Sequence, residues 1–420
     1  SVQNPGKLEI NNSDFIGDSG HINDGDVKQP LLDSNDKQLS PISQSNTIIA
    51  FSNKQAIEHN QLGTINGCYV PCLLNIMGII LFERLGWGVG QIGVSGVFLV
   101  FLIAEIQSIL TVLSLSAIVT NGNMRGGGSY YMISRTLGPE FGGSIGVLFY
   151  SAYCVGVAFY CTGFSEEFIA TWLPDHVGSY WITVLVGSTI NLVSFIVALA
   201  GARWFTKINV ILFFFQFLAI MIALIACFFR GEVPLETQTI CEDDIKSPWT
   251  WDGFTAIWIV TGYEGFQTTF GVLFPAATGI MEGANLSGDL KNPTYSIPVG
   301  TLAAVFTSII VYFLLIVSFA GSFDSCVLRH NTTIMQDVSW GHWGTYLVVM
   351  GIIISATSSA LGSLFGGSRV LQAIARDRLF PYTKLLGYGS SIGDEPRVAV
   401  VITWFIAQML LFIGSINAIA

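Results

Sequence analysis

The sequence is short of charged residues, since aspartate, glutamate, lysine and arginine together make up 11% of its 420 residues. A soluble domain carries about 25% charged residues, so this shortage excludes a soluble globular protein. Hydrophobic residues account for 51% of the chain. They form near-continuous runs of about 20 residues rather than the alternating pattern of barrel strands, which indicates helices that span a lipid bilayer. Nothing in the sequence is basic enough to predict nucleic-acid binding.

The first 60 residues lack a signal peptide and have too few large apolar side chains to build a core. We therefore expect residues 1–60 to be a disordered cytoplasmic tail and residues 61–420 to form a transmembrane domain. Kinases that act on serines of the tail are one expected class of partner. A plain solvated tail is the alternative.

Cysteine is sparse, and its seven copies are scattered along the chain. Cys68 and Cys72 lie one helical turn apart, but no histidine accompanies them to complete a metal-ligand set. Five of the cysteines fall in apolar runs, where a thiol packs as a small hydrophobic group. Cys241 and Cys326 fall in loops that we place outside the cell, and a disulfide between them is one alternative.

Nine apolar segments follow the tail, and we interpret them as transmembrane helices. They cover residues 62–86, 91–119, 141–171, 180–200, 205–229, 253–280, 298–321, 342–372 and 397–419. Two of them are interrupted, the first and the sixth. An inverted repeat of five plus five helices would make these two segments counterparts, so we expect a tenth helix to be missing from this sequence.

Basic residues favour one side of the predicted membrane. With the tail inside, the cytoplasmic connections hold Arg125, Arg135, Arg203, Lys207, Lys291, Arg369, Arg376, Arg378, Lys384 and Arg397, whereas the outer ones hold Arg84, Arg230, Lys246 and Arg329. The positive-inside rule therefore places the N-terminus in the cytoplasm. Asn331 opens a glycosylation sequon in an outer loop, which predicts a glycoprotein. We expect the plasma membrane rather than an internal membrane as its location.

The two interrupted segments are Val70 to Ile80, with Pro71 and Gly78, and Phe274 to Asp289, with Pro275 and Gly279. Lipid does not tolerate unpaired backbone groups, so such breaks occur where the backbone is buried in protein or lines a cavity. A pair of discontinuous helices is the best sequence indication of a transporter's substrate site. The alternative is a pair of packing kinks, because glycine and proline are common in membrane helices.

The half-helix that follows each break begins with free backbone N–H groups, which suit an anion. The carbonyls before each break suit a weakly hydrated cation. A threonine in the second break, Thr278, and a tyrosine in the third span, Tyr160, add hydroxyl oxygens. The eighth span carries the serines 355, 358 and 359, which either pack closely or coordinate a small hard cation such as sodium.

Acidic residues within the spans are functional candidates, because charge is costly in lipid. They are Glu105, Glu166, Glu167 and Glu264, with Glu83 beside Arg84 near an outer end. Glu264 lies in the predicted half-helix before the second break. It is either a gate or proton site or a member of a buried structural pair.

Four long motifs resemble the cation-chloride cotransporter family of the amino acid–polyamine–organocation superfamily. They are NIMGIILFERLGWGVGQIG at 75–93, RGGGSYYMISRTLGPEFGGSIG at 125–146, FPAATGIMEGANLSGDLKNPTYSIPVGTL at 274–302 and SRVLQAIARDRLFP at 368–381. The resemblance covers residue 62 to the end, and it is to sodium-potassium-chloride members or to the orphan branch. It implies an all-α LeuT-like fold and electroneutral symport by alternating access, with no enzymatic activity and no cofactor. It also implies a homodimer formed through regions absent from this sequence.

The resemblance also implies the ion ligands. Potassium would bind Asn75, Ile76, Tyr160, Pro275 and Thr278; chloride would bind the amides of Gly78, Ile79, Ile80, Gly279, Ile280 and Met281; sodium would bind Leu74, Met77, Ser355, Ser358 and Ser359. Met77 stands where sodium-coupled members have an aromatic residue, and Glu83 replaces an apolar one. The alternatives are sodium-independent potassium-chloride symport, amino acid or polyamine transport, and a transport-silent partner of other cotransporters.

Overall fold

The computed structural model describes residues 62–121, 127–229, 231, 233–234, 241, 245–246, 248–331, 333–339, 341–381, 383–390 and 394–413. The predicted tail at residues 1–60 lies outside the described residues. The regular structure of the described residues is helical, as expected, apart from two short antiparallel strands, β1 (Val233–Pro234) and β2 (Ile245–Lys246).

The helices are α1 (Val70–Ile76), α2 (Ile79–Glu83), α3 (Leu85–Thr120), α4 (Gly128–Leu137), α5 (Pro139–Trp172), α6 (Tyr180–Ala200), α7 (Ala202–Phe229), α8 (Trp251–Ala256), α9 (Phe266–Leu273), α10 (Glu282–Asn285), α11 (Pro293–Ser322), α12 (Ser325–His330), α13 (Ile334–Asp337), α14 (Gly341–Arg376) and α15 (Arg397–Leu411). Seven helical stretches of the described chain are long and apolar enough to cross a membrane. They are Ile65–Glu83, Leu85–Thr120, Glu140–Trp172, Tyr180–Ala200, Ala202–Phe229, Pro293–Ser322 and Trp343–Arg376. The interrupted sixth segment and the shorter α15 come in addition to these seven.

The first segment breaks where the sequence predicts it. A π-helical turn, Ile65–Tyr69, leads into α1, and Pro71 lies in the first turn of α1, where a backbone N–H is not needed. Helix α1 ends at Ile76, Met77 caps it with non-helical backbone angles, Gly78 is extended with ψ −170°, and α2 starts at Ile79. The interruption therefore spans only two residues.

The sixth segment differs from the prediction, because it is interrupted twice rather than once. The chain is not helical over residues 257–265, between α8 and α9. The expected single half-helix before the second break is therefore wrong. Glu264 falls in this irregular stretch with an exposed side chain, so it belongs neither to a half-helix nor to a buried pair.

A kink in α3 explains why this irregular stretch is tolerated. Gly93 has φ +71° within α3, and this leaves the amides of Val94 and Ser95 free to donate to the carbonyls of Ile257 and Trp258, both at 3.1 Å. A Cβ on Gly93 would lie 2.8 Å from the Ile257 carbonyl oxygen. The irregular backbone thus obtains hydrogen bonds from a neighbouring helix, which satisfies the requirement for broken segments in a membrane.

The second break is longer than the first. It runs through a 3₁₀ turn, Phe274–Ala277, and through Gly279 at φ +107°, before the four-residue α10. The chain after α10 then pairs with the start of the first segment. The Leu62 amide donates to the Asp289 carbonyl at 3.1 Å, and the Lys291 amide donates to the Leu62 carbonyl at 3.0 Å. These hydrogen bonds join the start of the first segment to the chain that follows α10, in addition to the contact between the two breaks that is described below.

The core surrounds the first break. Buried side chains of α1, α3, α7, α11 and α14 form the largest apolar cluster, which includes Leu73, Met77, Val97 and Ile352. A second cluster joins α5, α6, α14 and α15. Helix α14 is deeply buried because serine, alanine and glycine let neighbouring helices approach closely.

Different interactions stabilise the two ends of the helical bundle, an ion-pair cluster at one end and a disulfide at the other. At one end, which we call the Arg369 end, the buried Arg369 guanidinium contacts Asp289 at 2.7 Å and Glu395 at 3.2 Å. At the other, the disulfide end, Cys241 and Cys326 form a disulfide with their Cα atoms 6.0 Å apart. The structure therefore contains the disulfide that the sequence offered as one alternative.

Candidate functional site

The two helix breaks contact each other in the middle of the bundle. A Cβ on Gly279 would lie 3.0 Å from both the Asn75 carbonyl carbon and the Ile76 nitrogen, so only glycine allows this approach. The Cys72 thiol donates to the Ile280 carbonyl at 3.5 Å. The structure thus brings together the two stretches that the sequence singled out.

A tyrosine from α11 joins the two breaks. The Tyr312 hydroxyl lies 2.9 Å from the Ile76 carbonyl oxygen and 3.0 Å from the Ala276 carbonyl oxygen. Its ring is buried and stacks on Phe101, with the ring centroids 4.6 Å apart. The sequence analysis missed Tyr312, although a mid-span tyrosine needs a hydroxyl partner just as Tyr160 does.

The predicted potassium ligands lie around this contact. The Asn75 and Ile76 carbonyls end α1, and the Thr278 hydroxyl donates to the Pro275 carbonyl at 2.6 Å. Pro275 and Thr278 are exposed. Tyr160 on α5 is partly buried and packs against the apolar cluster that surrounds the first break. The set therefore extends from a buried first break to an accessible second break.

The predicted chloride amides occupy the starts of two short helices. Gly78 precedes α2, and Ile79 and Ile80 form its first turn, where N–H groups have no intrahelical acceptor. Gly279, Ile280 and Met281 precede α10 in the same way. Because α2 and α10 have five and four residues, the individual N–H groups outweigh the helix dipole as a source of positive potential.

The predicted sodium ligands also meet at the first break. The Ser355 hydroxyl donates to the Met77 carbonyl at 3.1 Å, and the Ser358 hydroxyl donates to the Ser355 carbonyl at 3.0 Å. Ser359 Oγ is buried with no hydrogen-bond partner in the described structure. Leu74 is buried one turn before Met77. Ser355 therefore contacts the first break and Ser359 lies beside Gly78, whereas the Ser358 hydroxyl bonds within its own helix; the sodium set stays a prediction.

Gln216 on α7 is a further residue at this point that the sequence analysis missed. Its Nε2 donates to the Met77 carbonyl oxygen, the same atom that Ser355 contacts. An amide donor on a carbonyl competes with a cation for the same lone pairs. The Gln216 amide would therefore compete with a sodium ion for the Met77 carbonyl oxygen.

Glu282, at the start of α10, is a buried acid between the two breaks. Its side chain is 2% exposed, and Oε1 accepts from Asn75 Nδ2 at 3.2 Å. Its Oε2 has no hydrogen-bond partner among the described residues, and neither has Asn75 Oδ1. The sequence analysis considered acids in the spans and passed over this one, although an acid inside a helix break is equally unusual.

The other predicted acids have different surroundings. Glu105 is buried on α3 within electrostatic reach of Tyr312. Glu167 is buried near the disulfide end and accepts from Gln336 Nε2 at 2.5 Å, whereas Glu166 is exposed. Glu83, at the end of α2, lies within electrostatic reach of both. Among these acids, Glu105 is thus a buried residue of α3, the helix whose Phe101 stacks on Tyr312.

Asn331, the predicted glycosylation site, is 4% exposed. Its Nδ2 donates to Asp337 at 2.8 Å, and its Oδ1 accepts from the Thr333 amide at 2.8 Å. The middle residue of the sequon lies outside the described residues. Glycosylation of Asn331 stays a prediction.

Comparison with known proteins shows which family the chain belongs to. The family model described as amino acid permease matches residues 67–420. The chain belongs to the amino acid permease family. Its relatives include an uncharacterized transporter of Schizosaccharomyces pombe, 34% identical over 391 residues, which are 89% of this chain and 36% of that protein.

Two further relatives belong to solute carrier family 12. Member 9 from Danio rerio is 33% identical and member 2 from Homo sapiens is 32% identical, over 86% and 94% of this chain. The chain spans 43% and 35% of their lengths. These cation-chloride cotransporter homologues confirm the resemblance inferred from the motifs. The chain is a multi-pass integral membrane protein of a family of transporters.

A solved structure shows the same fold. A Na⁺-coupled sialic acid symporter in an outward-open state aligns with a TM-score of 0.55 over 89% of this chain and 79% of that one. The sequence identity is 12%, so the likeness concerns the fold alone. It confirms the expected LeuT-like architecture.

Proposed function

We propose that the chain is the transport domain of a secondary active symporter that moves chloride together with potassium, and with sodium, by alternating access. The observation that carries the proposal is the contact between the two breaks, where Gly279 packs on Asn75 and Ile76. This contact puts carbonyl and amide groups of both breaks in one place.

The cation side of the proposal rests on neutral oxygen atoms. The carbonyls at the end of α1 and the hydroxyls of Tyr160 and Thr278 suit a weakly hydrated monovalent cation such as potassium. The exposure of Thr278 supports access from water. An amino acid or polyamine substrate is the lesser candidate, because Asn75, Tyr160 and Thr278 crowd the space that it would fill.

The anion side rests on the two sets of free amides, at 78–80 and 279–281, which would bind chloride. Cation and anion would then neutralise each other in the bundle core. A neutral load would cross with little dependence on membrane voltage. This charge balance is what links the two ions in one transport step.

Sodium-independent symport is a second candidate, and one observation favours it. Gln216 Nε2 donates to the Met77 carbonyl that sodium would need. Ser358 and Ser359 would then be packing residues. The sodium-coupled version requires the Gln216 side chain to turn away when sodium binds.

The test is uptake of rubidium, as a substitute for potassium, by lipid vesicles that contain only the full-length protein. The proposal expects uptake that needs chloride and that is lost in Thr278→Ala. The matched control is Thr189→Ala, because Thr189 is exposed on α6 and bonds only within its helix. Absence of chloride-dependent uptake would contradict the proposed symport. The alternatives would then be a transport-silent partner of other cotransporters and a transporter of amino acids or polyamines.

Repeating the assay without sodium separates the two candidates. Sodium coupling predicts that uptake falls without sodium and collapses in Ser358→Ala with Ser359→Ala, whereas Ser151→Ala on the exposed face of α5 has no effect. Uptake that ignores sodium assigns the protein to potassium-chloride symport.

The proposal also includes the orientation, location and partners of the protein. We place the tail in the cytoplasm and the disulfide end outside the plasma membrane, with Asn331 glycosylated. A homodimer and kinases acting on the tail are the proposed partners. Trypsin accessibility of the tail in sealed cells tests the orientation, because an intracellular tail is protected until the membrane is opened.

A further inference from the structure

Glu282 places a carboxyl group at the point where the two breaks meet. Its Oε1 and Asn75 Nδ2 are 3.2 Å apart, and Asn75 is also a member of the predicted cation set. No lysine, arginine or histidine among the described residues forms an ion pair with Glu282, since the described pairs involve Asp289, Asp377, Asp394 and Glu395. The carboxylate is thus buried without a protein counter-charge.

Two oxygen atoms at this point lack partners. Glu282 Oε2 and Asn75 Oδ1 are both buried and without a hydrogen bond in the described structure, and they belong to the two side chains joined by that hydrogen bond. A buried anion is costly unless a cation or several donors compensate it. Unpaired, water-excluded oxygens of this kind are ligands for a hard monovalent cation.

Neutral groups surround the Glu282 carboxyl group in the described part of the chain. Gly362 of α14 faces it, and a Cβ there would lie 3.6 Å from each carboxylate oxygen. Asn285, three residues after Glu282 in α10, has its side chain beside the carboxyl group, and its Nδ2 donates to the Tyr153 hydroxyl at 2.7 Å. The described neighbours of Glu282 are therefore amides, a hydroxyl group and a glycine rather than basic side chains.

We propose that the Glu282 carboxylate is a direct ligand of the transported cation and serves as a fixed anion in the site. This inference deepens the proposed function and rests on it. A fixed anion balances the charge of the first cation, so that this cation binds without chloride. One chloride of the expected pair then becomes unnecessary for charge balance.

The test is thermal unfolding of the purified full-length protein in lipid nanodiscs. Potassium gluconate is titrated against N-methylglucamine gluconate at constant ionic strength and fixed pH, and then the same titration is run with chloride salts. We expect the unfolding temperature of the wild-type chain to rise with potassium in the absence of chloride. A rise that requires chloride would overturn the inference. This part of the test uses only the wild-type chain, so its outcome does not depend on whether a variant folds.

Glu282→Gln provides the second arm, because glutamine keeps the size and the oxygen that accepts from Asn75. We expect its half-maximal potassium concentration in gluconate to increase on the order of tenfold or more, which corresponds to the loss of one charged ligand. Glu167→Gln is the matched control, since Glu167 is also a buried acid with one hydrogen-bonded oxygen. Its potassium requirement should equal that of the wild-type chain.

The outcomes separate the inference from the proposed function. Equal titrations of wild type and Glu282→Gln in gluconate would overturn the role of Glu282 while leaving symport intact. A wild-type chain that responds to none of potassium, sodium and chloride would contradict both.

Discussion

The two helix breaks are built differently, although both interrupt a membrane-spanning segment. The first covers two residues, is buried, and has its Ile76 and Met77 carbonyls held by Tyr312, Gln216 and Ser355. The second covers the stretch from Phe274 to Met281, exposes Pro275 and Thr278, and depends on a left-handed glycine. The first break is thus held in place by side chains of neighbouring helices, whereas the second has exposed groups.

This difference indicates how a single site combines rigidity with access. Side chains from α7, α11 and α14 converge on the first break, so its carbonyls are positioned before an ion arrives. The second break has fewer such supports in the described structure and an extra irregular stretch at residues 257–265 before it. Substitutions that remove the supports of each break in turn test this difference.

The largest effect should come from Arg369→Gln, which removes the cation that ties Asp289, after the second break, to Glu395. The buried Asp289 and the half-buried Glu395 would lose that partner, and breaking a buried ion pair costs about 3–5 kcal/mol. We expect a large fall in unfolding temperature or in folded yield. Arg376→Gln is the control, because Arg376 pairs with Asp394 at the surface; equal losses in both variants would contradict the account.

Gly93→Ala should come next, with a loss of about 3 kcal/mol. The residue has φ +71° and ψ 175°, a region reserved for glycine, and its new Cβ would press on the Ile257 carbonyl. Denaturant unfolding measures the loss. Gly271→Ala, where nothing lies within 4 Å, should be close to neutral; a neutral Gly93→Ala would mean that the kink does not support the irregular stretch.

Tyr312→Phe should cost about 2 kcal/mol, because it leaves the buried Ile76 and Ala276 carbonyls without their hydroxyl donor. The same unfolding assay applies, with the exposed Tyr346→Phe as the control. The prediction is specific to the hydroxyl group, since the Phe101 stacking is retained. An unchanged unfolding curve would show that Tyr312 does not join the breaks.

Gln216→Leu should have the smallest effect on stability, about 1 kcal/mol, since Ser355 still donates to the Met77 carbonyl. Its effect on sodium is the informative one. With the competing amide removed, we expect sodium to stabilise the variant at lower concentration than the wild-type chain. A sodium requirement unchanged or raised would place the sodium ligands elsewhere.

The local features of the fold could be predicted from the sequence, because length, hydropathy and proline or glycine act within one segment. The spans and both breaks are examples. The irregular stretch at 257–265 could not be predicted, because its stability depends on the kink at Gly93, some 165 residues earlier in the chain. Non-local hydrogen bonds of this kind leave no periodic signal.

The same limit applies to the site. The backbone groups of the breaks were found from proline and glycine and from the family motifs. Tyr312, Gln216 and Glu282 were missed, because a polar residue in an apolar run acquires a role only through the helix packed against it. Each is a polar side chain at membrane depth, which is the signal that would have marked it as a candidate.

Contact between the two breaks forms the proposed transport site. We would test it first by chloride uptake into vesicles, driven by a potassium gradient, in Gly279→Ala and Gly271→Ala proteins of equal folded amount. We expect Gly279→Ala, whose methyl group would separate the breaks, to lose uptake while Gly271→Ala retains it. Wild-type uptake by Gly279→Ala would mean that the contact is not needed for transport.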